Sequence, residues 1–474
     1  MPARAAELRP KPATPGLAAR VSGPTYQSWI LFLLLHIPLG LVLKASPILA
    51  TVHALATLVA AMVALTTQRT PEKLIFILGY IVASEALWRT AKAFVFWETG
   101  KYALAGLSIL ALARFRTARR NQVVPTIYFA ALLPSILVMP AFDRGAVSFN
   151  LSGPFALAMA TIFLSSVPMP SRNLIRIILT MLGPTLSLGF VATFSTLTTE
   201  GIDFYNSKVA SGGLGQNQAS SILALGAMLA FLFLYLERRA RGIRWFVGAI
   251  GIWCAAQAAL TFSRGGLVTV VGAIMAMSFF LIQDRSSRGM LILRIALIVG
   301  LAAVVVVPTI NSFTGGALLD RFTTTSLTGR DKIIEADLIV FRQNPFLGVG
   351  PGQSTEYHAL TFRYSAAHTE YSRLLAEHGS FGLLALLLLV QMSAHRFLRR
   401  VPLPAKAMAA AFTVWSLLYM AHAAMRMSLV CFLFALGGAA LFVEYPWAVR
   451  ARRPAAGVVP APVAGPLRPA PSIR

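Results

Sequence analysis

Charged residues are scarce in this chain, and cysteine is almost absent. Asp, Glu, Lys and Arg make up 12% of the 474 residues, whereas hydrophobic residues make up 57%. With a mean hydropathy of +0.69, this composition excludes an ordinary soluble domain. The two cysteines, Cys254 and Cys431, provide neither a disulfide framework nor metal-ligand spacing.

Acidic residues are especially few, with 17 Asp and Glu against 42 Lys and Arg. In a soluble protein this excess would suggest nucleic-acid binding. Here the basic residues flank apolar runs and no aromatic residues are interleaved with them, so nucleic acid is not an expected partner. The expected partners of these basic residues are the anionic lipids of the inner leaflet.

Long apolar runs dominate what remains, and they predict an all-α polytopic membrane protein of about 14 transmembrane helices. A cleavable signal peptide is not expected, because residues 1–26 are polar and the first run reads as an uncleaved anchor. The predicted spans lie near residues 27–43, 46–67, 74–90, 100–113, 123–141, 152–168, 175–196, 217–236, 245–262, 266–283, 290–308, 380–395, 404–424 and 428–446.

The basic clusters orient these spans. With both termini in the cytoplasm, most Lys and Arg residues fall on the cytoplasmic side, in the tails and in short loops, as the positive-inside rule requires. Three clusters carry this bias: Arg114, Arg116, Arg119 and Arg120; Arg238, Arg239, Arg241 and Arg244; and Arg396, Arg399 and Arg400. The loops between the other span ends are therefore predicted to face the periplasm.

The chain divides into five predicted segments. Residues 1–26 and 447–474 are expected to be disordered cytoplasmic tails, because both are of low complexity. Residues 27–308 form the first eleven spans, and residues 380–446 form the last three. Between them, residues 309–379 form a periplasmic loop with an amphipathic helix at Asp331–Arg342, in which Ile333, Ile334, Leu338 and Phe341 share one face.

Titratable residues concentrate in that loop, notably around His368. A neutral histidine can accept a proton from an attacking hydroxyl near neutral pH. Arg264 follows a tight turn between two spans, and Arg330 precedes the amphipathic helix. Because guanidinium groups bind phosphate oxygens bidentately and stay charged, two arginines and a histidine around one outward cavity would suit the displacement of a diphosphate leaving group.

Each of these residues also has a plainer interpretation. Arg264 could be an interfacial anchor, Arg330 could pair with Asp331 or Glu335, and His368 could be a satisfied polar residue at a helix edge. His378 is more often a helix-end residue, and Glu85 could pair with a neighbouring arginine or lysine. His358 and His422 are interpreted as structural.

Five motifs in order resemble the O-antigen ligase/polymerase superfamily of bacterial envelope enzymes. They span roughly residues 200–395, and the first 190 residues carry no matching motif. The motifs are Gly212–Gln218, Ser263-Arg264-Gly265, Gly329-Arg330, Asn344–Gly350, and His368-Thr369-Glu370-Tyr371 with Glu377-His378-Gly379.

The resemblance implies a fold related to the C-type glycosyltransferases. It also implies transfer of a glycan from undecaprenyl diphosphate to an acceptor hydroxyl at the outer face of the bacterial inner membrane, with no metal or other cofactor. His368 looks like the histidine that activates the acceptor, and Arg264 and Arg330 look like the arginines that bind the donor diphosphate. Residues that could support them are Asn217, Glu370, Tyr371 and Arg373.

Several alternatives remain open at this point. A ligase passes the glycan to a lipid A–core sugar, whereas an O-antigen or exopolysaccharide polymerase passes it to another lipid-linked repeat. Attachment to a protein hydroxyl is a third variant of the same chemistry. A transporter of lipid-linked glycan would also have many spans. Transporters, however, usually show two related halves with broken helices and charges near the midplane, and no such symmetry is visible in the sequence.

Overall fold

The helices follow the apolar runs of the sequence, because in lipid each backbone N–H and C=O must be satisfied within its own segment. The computed structural model describes residues 25–115, 122–200, 208–284, 288–323, 329–361 and 367–442. The predicted C-terminal tail and all but the last two residues of the predicted N-terminal tail lie outside these ranges.

The described helices are, in chain order, α1 (Tyr26–Ala45), α2 (Pro47–Thr67), α3 (Glu72–Thr90), α4 (Thr99–Arg114), α5 (Val123–Ala130), α6 (Arg144–Ser165), α7 (Ser171–Thr198), α8 (Gln216–Leu236), α9 (Arg241–Leu260), α10 (Arg264–Ile282), α11 (Arg288–Leu301), α12 (Val307–Phe313), α13 (Ala317–Thr323), α14 (Arg330–Gln343), α15 (Ser354–Thr361), α16 (Glu370–Leu398), α17 (Leu403–Ala423) and α18 (Ser428–Gly437). Two strands, β1 (Pro168–Pro170) and β2 (Ala440–Phe442), pair in parallel with Met169 opposite Leu441. The predicted all-α polytopic membrane fold is confirmed.

Ten helical segments in the described ranges are long and apolar enough to cross a membrane, against about 14 predicted spans. Helix α3 carries Glu85 and Arg89 in its last turns, and α4 has only 16 residues. The predicted span 123–141 is wrong as a single helix, because α5 ends at Ala130 and a short 3-10 helix follows at Pro134–Val138. The span 428–446 is also interrupted, because α18 ends at Gly437 and β2 follows.

One end of the bundle gathers the turns and short helices that hold the candidate site residues. We call it the site face and define it by residues 91–98, 216–217, 261–264, 317–323, 329–361, 367–373 and 424–428. Direct contacts join its parts: Arg426 Nη2 donates to the Ala367 carbonyl at 2.7 Å, and Arg89 Nη1 lies 3.1 Å from Met427 Sδ. The loop containing Arg396–Arg400 and the β1–β2 pair lie at the opposite end.

A kink in α16 allows the helix to pack against residues 345–350. Gly379 has φ 57° and ψ −134° inside the helix, a conformation that favours glycine. There the Val349 and Gly350 amides donate to the Ala376 and Glu377 carbonyls at 3.1 and 3.0 Å, and the Ser380 amide donates to the Pro345 carbonyl at 2.8 Å. The Asn344–Gly350 motif is therefore a backbone strap on α16.

The amphipathic helix of the loop is confirmed as α14, but its buried face differs from the predicted one. Ile333, Ala336, Asp337 and Val340 are buried, whereas Ile334 and Leu338 are each 37% exposed. Asp337 faces inward because its two carboxylate oxygens accept from His358 Nε2 at 2.7 Å and Ser372 Oγ at 2.5 Å. This fully buried pair ties α14 to α15 and α16, and it supports the structural interpretation of His358.

Candidate functional site

The first group of site residues is a set of three arginines on the site face. Arg264 begins α10, Arg330 begins α14, and Arg321 lies in α13. Burial lowers the pKa of the Arg330 guanidinium, and the neighbouring charges of Arg264 and Arg321 lower that pKa further. Arg321 donates to the Phe262 carbonyl, and Arg330 shares an acceptor with Ser263, so all three arginines lie around the turn that precedes α10. Like charges gathered in this way favour a bound anion.

Asn217 supports this group. Arg330 Nη2 and Ser263 Oγ both donate to Asn217 Oδ1, at 2.9 and 2.7 Å. Neither Asp331 nor Glu335 is within ion-pair distance of Arg330, whose side chain has no carboxylate partner in the described ranges. The pairing of Arg330 with those acids, which the sequence left open, does not occur.

A tight turn between α9 and α10 positions Arg264. Phe262 has φ 57°, an uncommon conformation for a bulky residue, and its carbonyl accepts from Arg321 Nε at 3.2 Å. A Cβ on Gly266 would overlap the backbone of Ser220. Glycine is therefore needed at position 266, because α10 approaches α8 too closely there for a side chain.

His422, interpreted from the sequence as structural, lies against this turn. Its Nδ1 donates to the Leu418 carbonyl at 2.8 Å, and its Nε2 lies 2.9 Å from Ser221 Oγ. A Cβ on Gly265 would meet the imidazole ring. His422 therefore packs the end of α17 onto the start of α10, beside the three arginines.

The second group surrounds His368. This half-buried residue lies two positions before α16, between a buried Ala367 and Thr369. Thr369 caps the helix by accepting from the Tyr371 amide at 3.2 Å, and Arg426 holds the Ala367 carbonyl. Burial, opposed in part by Tyr419, lowers the pKa of Arg426. His368 is thus held between a helix cap and an arginine-bound carbonyl.

Glu370 and Arg373, which the sequence offered as support, belong to a buried ionic network with Glu377. Arg373 pairs with Glu370 and with Glu377, the latter at 2.7 Å, and also donates to Asn150 Oδ1 at 3.3 Å. Glu370 Oε2 accepts from the Met425 amide at 3.1 Å. Because these groups satisfy one another, the network fixes the helix that follows His368.

Removing one partner of this network is expected to destabilise the protein. Glu370→Ala would leave Arg373 with one carboxylate and the Met425 amide without its acceptor, at a cost of about 3–5 kcal/mol in the free energy of unfolding. Denaturant titration in detergent would measure it, with the exposed Glu356→Ala on α15 as the matched control. Equal stability of the two variants would contradict a structural role for the network.

Tyr371 and His378 have defined partners as well. The Tyr371 hydroxyl donates to the Leu417 carbonyl at 2.7 Å and so joins α16 to α17. His378 Nδ1 lies 2.6 Å from Ser135 Oγ, and its Nε2 has no hydrogen-bond partner in the part of the chain that is described. Both residues bind neighbouring helices.

The structure therefore brings the predicted residues to one face, in two groups. Arg264, Arg330 and Asn217 form the first, and Glu370, Tyr371 and Arg373 lie beside His368 in the second. A cavity of about 110 Å³ is lined by Ala367, Glu370, Arg373 and Arg426, among others. Among the described residues, neither Arg264 nor Arg330 lines this cavity. A single cavity shared by His368, Arg264 and Arg330 stays a prediction from the sequence.

Sequence reasoning missed two arginines of the site face. Arg321 lies in the same long loop as Arg330, and Arg426 lies in the four-residue turn between α17 and α18. Neither belongs to a recognisable motif. A cation isolated between two apolar runs was the only sequence signal that could have indicated Arg426.

The described residues include no group of three or more His, Cys, Asp or Glu side chains that could hold a metal ion. A search of curated proteins found no match to this chain. Residues 252–387 match the family model described as O-antigen ligase, a range that includes Arg264, Arg321, Arg330 and His368. This match confirms the resemblance of the chain to the O-antigen ligase/polymerase superfamily over these residues.

Proposed function

We propose that this protein is an O-antigen ligase-type glycosyltransferase that needs no metal. It moves a glycan from undecaprenyl diphosphate to a hydroxyl of a lipid A–core sugar. The observation that carries the proposal is Arg330, which is half-buried beside Arg264 and Arg321 and is tied to the neutral Asn217. Positive charge gathered in this way suits a diphosphate.

The donor diphosphate would lie between Arg264 and Arg330. Guanidinium groups donate paired N–H bonds to phosphate oxygens, and partial burial strengthens those bonds by lowering the local dielectric constant. As the bond between the sugar C1 and the diphosphate oxygen breaks, negative charge grows on that oxygen. The arginines would stabilise this charge more strongly in the transition state than in the bound donor.

His368 would act on the acceptor. Its neutral imidazole takes the proton of the acceptor hydroxyl while the hydroxyl oxygen forms a bond to C1 of the donor sugar. The C1–diphosphate bond breaks with its electron pair on the leaving oxygen, so one glycosidic bond replaces one glycosyl phosphate bond. The Thr369 cap and the Arg426 contact hold the chain on both sides of the imidazole.

The site face is proposed to meet the periplasm, with both termini of the chain in the cytoplasm of a bacterial cell. The basic clusters at 114–120, 238–244 and 396–400 support this orientation through the positive-inside rule. Lipid-linked donor and lipid A–core acceptor would then both reach the site from the outer leaflet of the inner membrane.

Transfer in vitro tests the proposal. The purified protein would be given undecaprenyl-diphosphate glycan and, separately, lipid A–core or a second lipid-linked repeat as the acceptor. Product with lipid A–core supports the ligase. A ladder formed only from lipid-linked repeats would instead make the protein a polymerase with the same chemistry. Absence of product with both acceptors would contradict a transferase, and movement of intact donor across vesicles would then indicate a transporter.

Arg321 is expected to assist donor binding. Arg321→Ala should raise the KM for the donor about tenfold, which corresponds to about 1.4 kcal/mol, because one of three neighbouring cations is lost. The KM for the acceptor should not change, and Arg321→Lys should recover part of the effect by restoring the charge. A donor KM equal to that of the wild type in Arg321→Ala would remove Arg321 from the diphosphate site.

A further inference from the structure

A second cavity on the site face lies outside residues 252–387, which match the O-antigen ligase family. It has a volume of about 250 Å³ and is formed by the end of α3, the segment 91–98 and the start of α4. Pockets for drug-sized ligands measure about 300–1,000 Å³, so this one suits a smaller group. It belongs to the first 190 residues, for which the sequence motifs give no role.

Charged groups form one wall of this cavity. Glu85 Oε2 accepts from the Ser428 amide at 2.7 Å and from Ser428 Oγ at 2.5 Å, and Glu85 pairs with Arg89. Arg89 Nε is buried without a hydrogen-bond partner in the described ranges. Buried N–H groups normally have partners, and among the described residues Nη1 uses only one of its two N–H groups, on Met427 Sδ. Because Arg89 lines the cavity, the second N–H of Nη1 is the donor that this wall offers to a ligand hydroxyl.

Aromatic rings form another wall. Trp97 is 51% exposed and Phe96 is 85% exposed. The Arg89 guanidinium lies 4.4 Å from the Trp97 ring centroid and also donates to the Trp97 carbonyl at 2.9 Å. A sugar ring has an apolar face of C–H groups, which pack on the negative face of an aromatic ring, and hydroxyls around its edge. Arg89 and Trp97 offer both kinds of contact side by side.

One short segment connects this cavity to His368. At one end, Met427 and Ser428 contact Arg89 and Glu85. One and two residues before Met427, Arg426 holds the carbonyl of Ala367, which adjoins His368, and the Met425 amide donates to Glu370. The three arginines proposed for the donor lie on the other side, where His422 contacts the start of α10.

We propose that this cavity binds a saccharide ring of the acceptor glycan, with Trp97 as the stacking residue and Arg89 as a hydrogen-bond donor. The assignment to the acceptor rests on the proposed transferase function, whereas saccharide binding by the cavity does not. The cavity and the arginine group lie on either side of residues 422–428, so the two substrates would approach His368 from opposite sides.

Direct binding tests the site without any dependence on transfer. The full-length protein in nanodiscs would be titrated by calorimetry with core oligosaccharide freed of lipid A and, separately, with free O-antigen repeat saccharide. Trp97→Ala should weaken binding of core oligosaccharide at least tenfold, and Trp97→Phe should retain most of the affinity. Ala93→Phe, which adds a ring within the lining while leaving the ion pair intact, should also abolish binding.

The matched control is Phe94→Ala. Phe94 lies in the same segment and is 73% exposed, but its side chain does not line the cavity. If Phe94→Ala weakened binding as much as Trp97→Ala, the aromatic residues would be membrane anchors and the proposal would be overturned. Unchanged binding in both Trp97→Ala and Ala93→Phe would also overturn it. Stronger Trp97-dependent binding of the repeat saccharide would overturn the assignment to the acceptor.

The failure of the proposed function would look different. A protein that binds core oligosaccharide through Trp97 but transfers no glycan would keep the saccharide site and lose the transferase. A protein with normal transfer and no effect of Trp97→Ala on the acceptor KM would keep the transferase and lose the site.

Discussion

Replacement of His368 with alanine is expected to abolish glycan transfer while leaving the protein folded and inserted in the membrane. The imidazole is the proposed acceptor of the hydroxyl proton, and general-base catalysis typically contributes about 10²–10⁴-fold to a rate. The backbone contacts that hold the segment, from Thr369 to Tyr371 and from Arg426 to Ala367, do not involve the imidazole. Initial rates at saturating donor and acceptor would measure the loss.

Two further variants make this result specific. His368→Gln keeps a polar side chain but has no basic nitrogen, so it should be as inactive as His368→Ala. His395→Ala, in an exposed position near the other end of the same helix, should be fully active. Transfer by His368→Ala within about tenfold of the wild-type rate would exclude His368 as the base.

The second large effect is expected at Arg330. Arg330→Ala should lower kcat/KM for the donor by about 10- to 100-fold, because a charge-assisted contact is worth about 1.5–3 kcal/mol. Arg330→Lys should recover only part of this loss, since an ammonium group cannot reproduce the paired N–H geometry of a guanidinium. Steady-state kinetics at varied donor concentration would separate the two variants.

Arg342→Ala is the matched control for Arg330, because Arg342 is exposed on the last turn of the same helix and should tolerate the change. If Arg330→Lys behaved like the wild type, paired recognition of phosphate at this position would be wrong. Arg264→Ala is expected to resemble Arg330→Ala, since both guanidinium groups would act on one diphosphate.

Hydropathy predicted most of the membrane architecture because each long span satisfies its own backbone and needs only apolar side chains. It failed where a span depends on its neighbours. The 123–141 run breaks before Pro134, which begins the 3-10 helix, and α18 stops where β2 pairs with β1. Contacts with residues that are distant in the sequence stabilise the chain at these interruptions. A hydropathy window cannot detect such contacts.

The helix α14 also shows that contacts distant in the sequence cannot be predicted from a local pattern. The apolar spacing correctly predicted that Asp331–Arg342 is helical, but it oriented the helix by its large apolar residues. The helix instead turns Asp337 inward, because His358 and Ser372 provide hydrogen bonds for its carboxylate. The hydrogen bonds of the buried carboxylate stabilise this orientation more than the exposure of Ile334 and Leu338 destabilises it. The partners that make those bonds lie outside the helix, so the pattern of one helix cannot predict them.

For the candidate site, the roles of the predicted residues stay predictions, but the structure shows which contacts between them the sequence could not give. Arg330 and Asn217 came from separate motifs, and the structure joins them by a hydrogen bond. Glu370 and Arg373 were predicted as support for His368, yet their charges are used mainly on each other. Pairwise contacts of this kind depend on how α16 meets α6 and the turn after α17, and no local pattern encodes that meeting.

The shortness of α18 explains why two acids are buried beside the turn that precedes it. Ten residues of helix cover about 15 Å, half of the roughly 30 Å of hydrocarbon in a bilayer, and the buried residues that lead into α18, Met425 and Met427, lie outside any helix. Water cannot form hydrogen bonds with backbone that is buried inside the bundle. Glu370 and Glu85 take its place by accepting the Met425 and Ser428 amides. These carboxylates provide the hydrogen-bond acceptors that water provides elsewhere. They therefore have a structural role that is independent of any reaction.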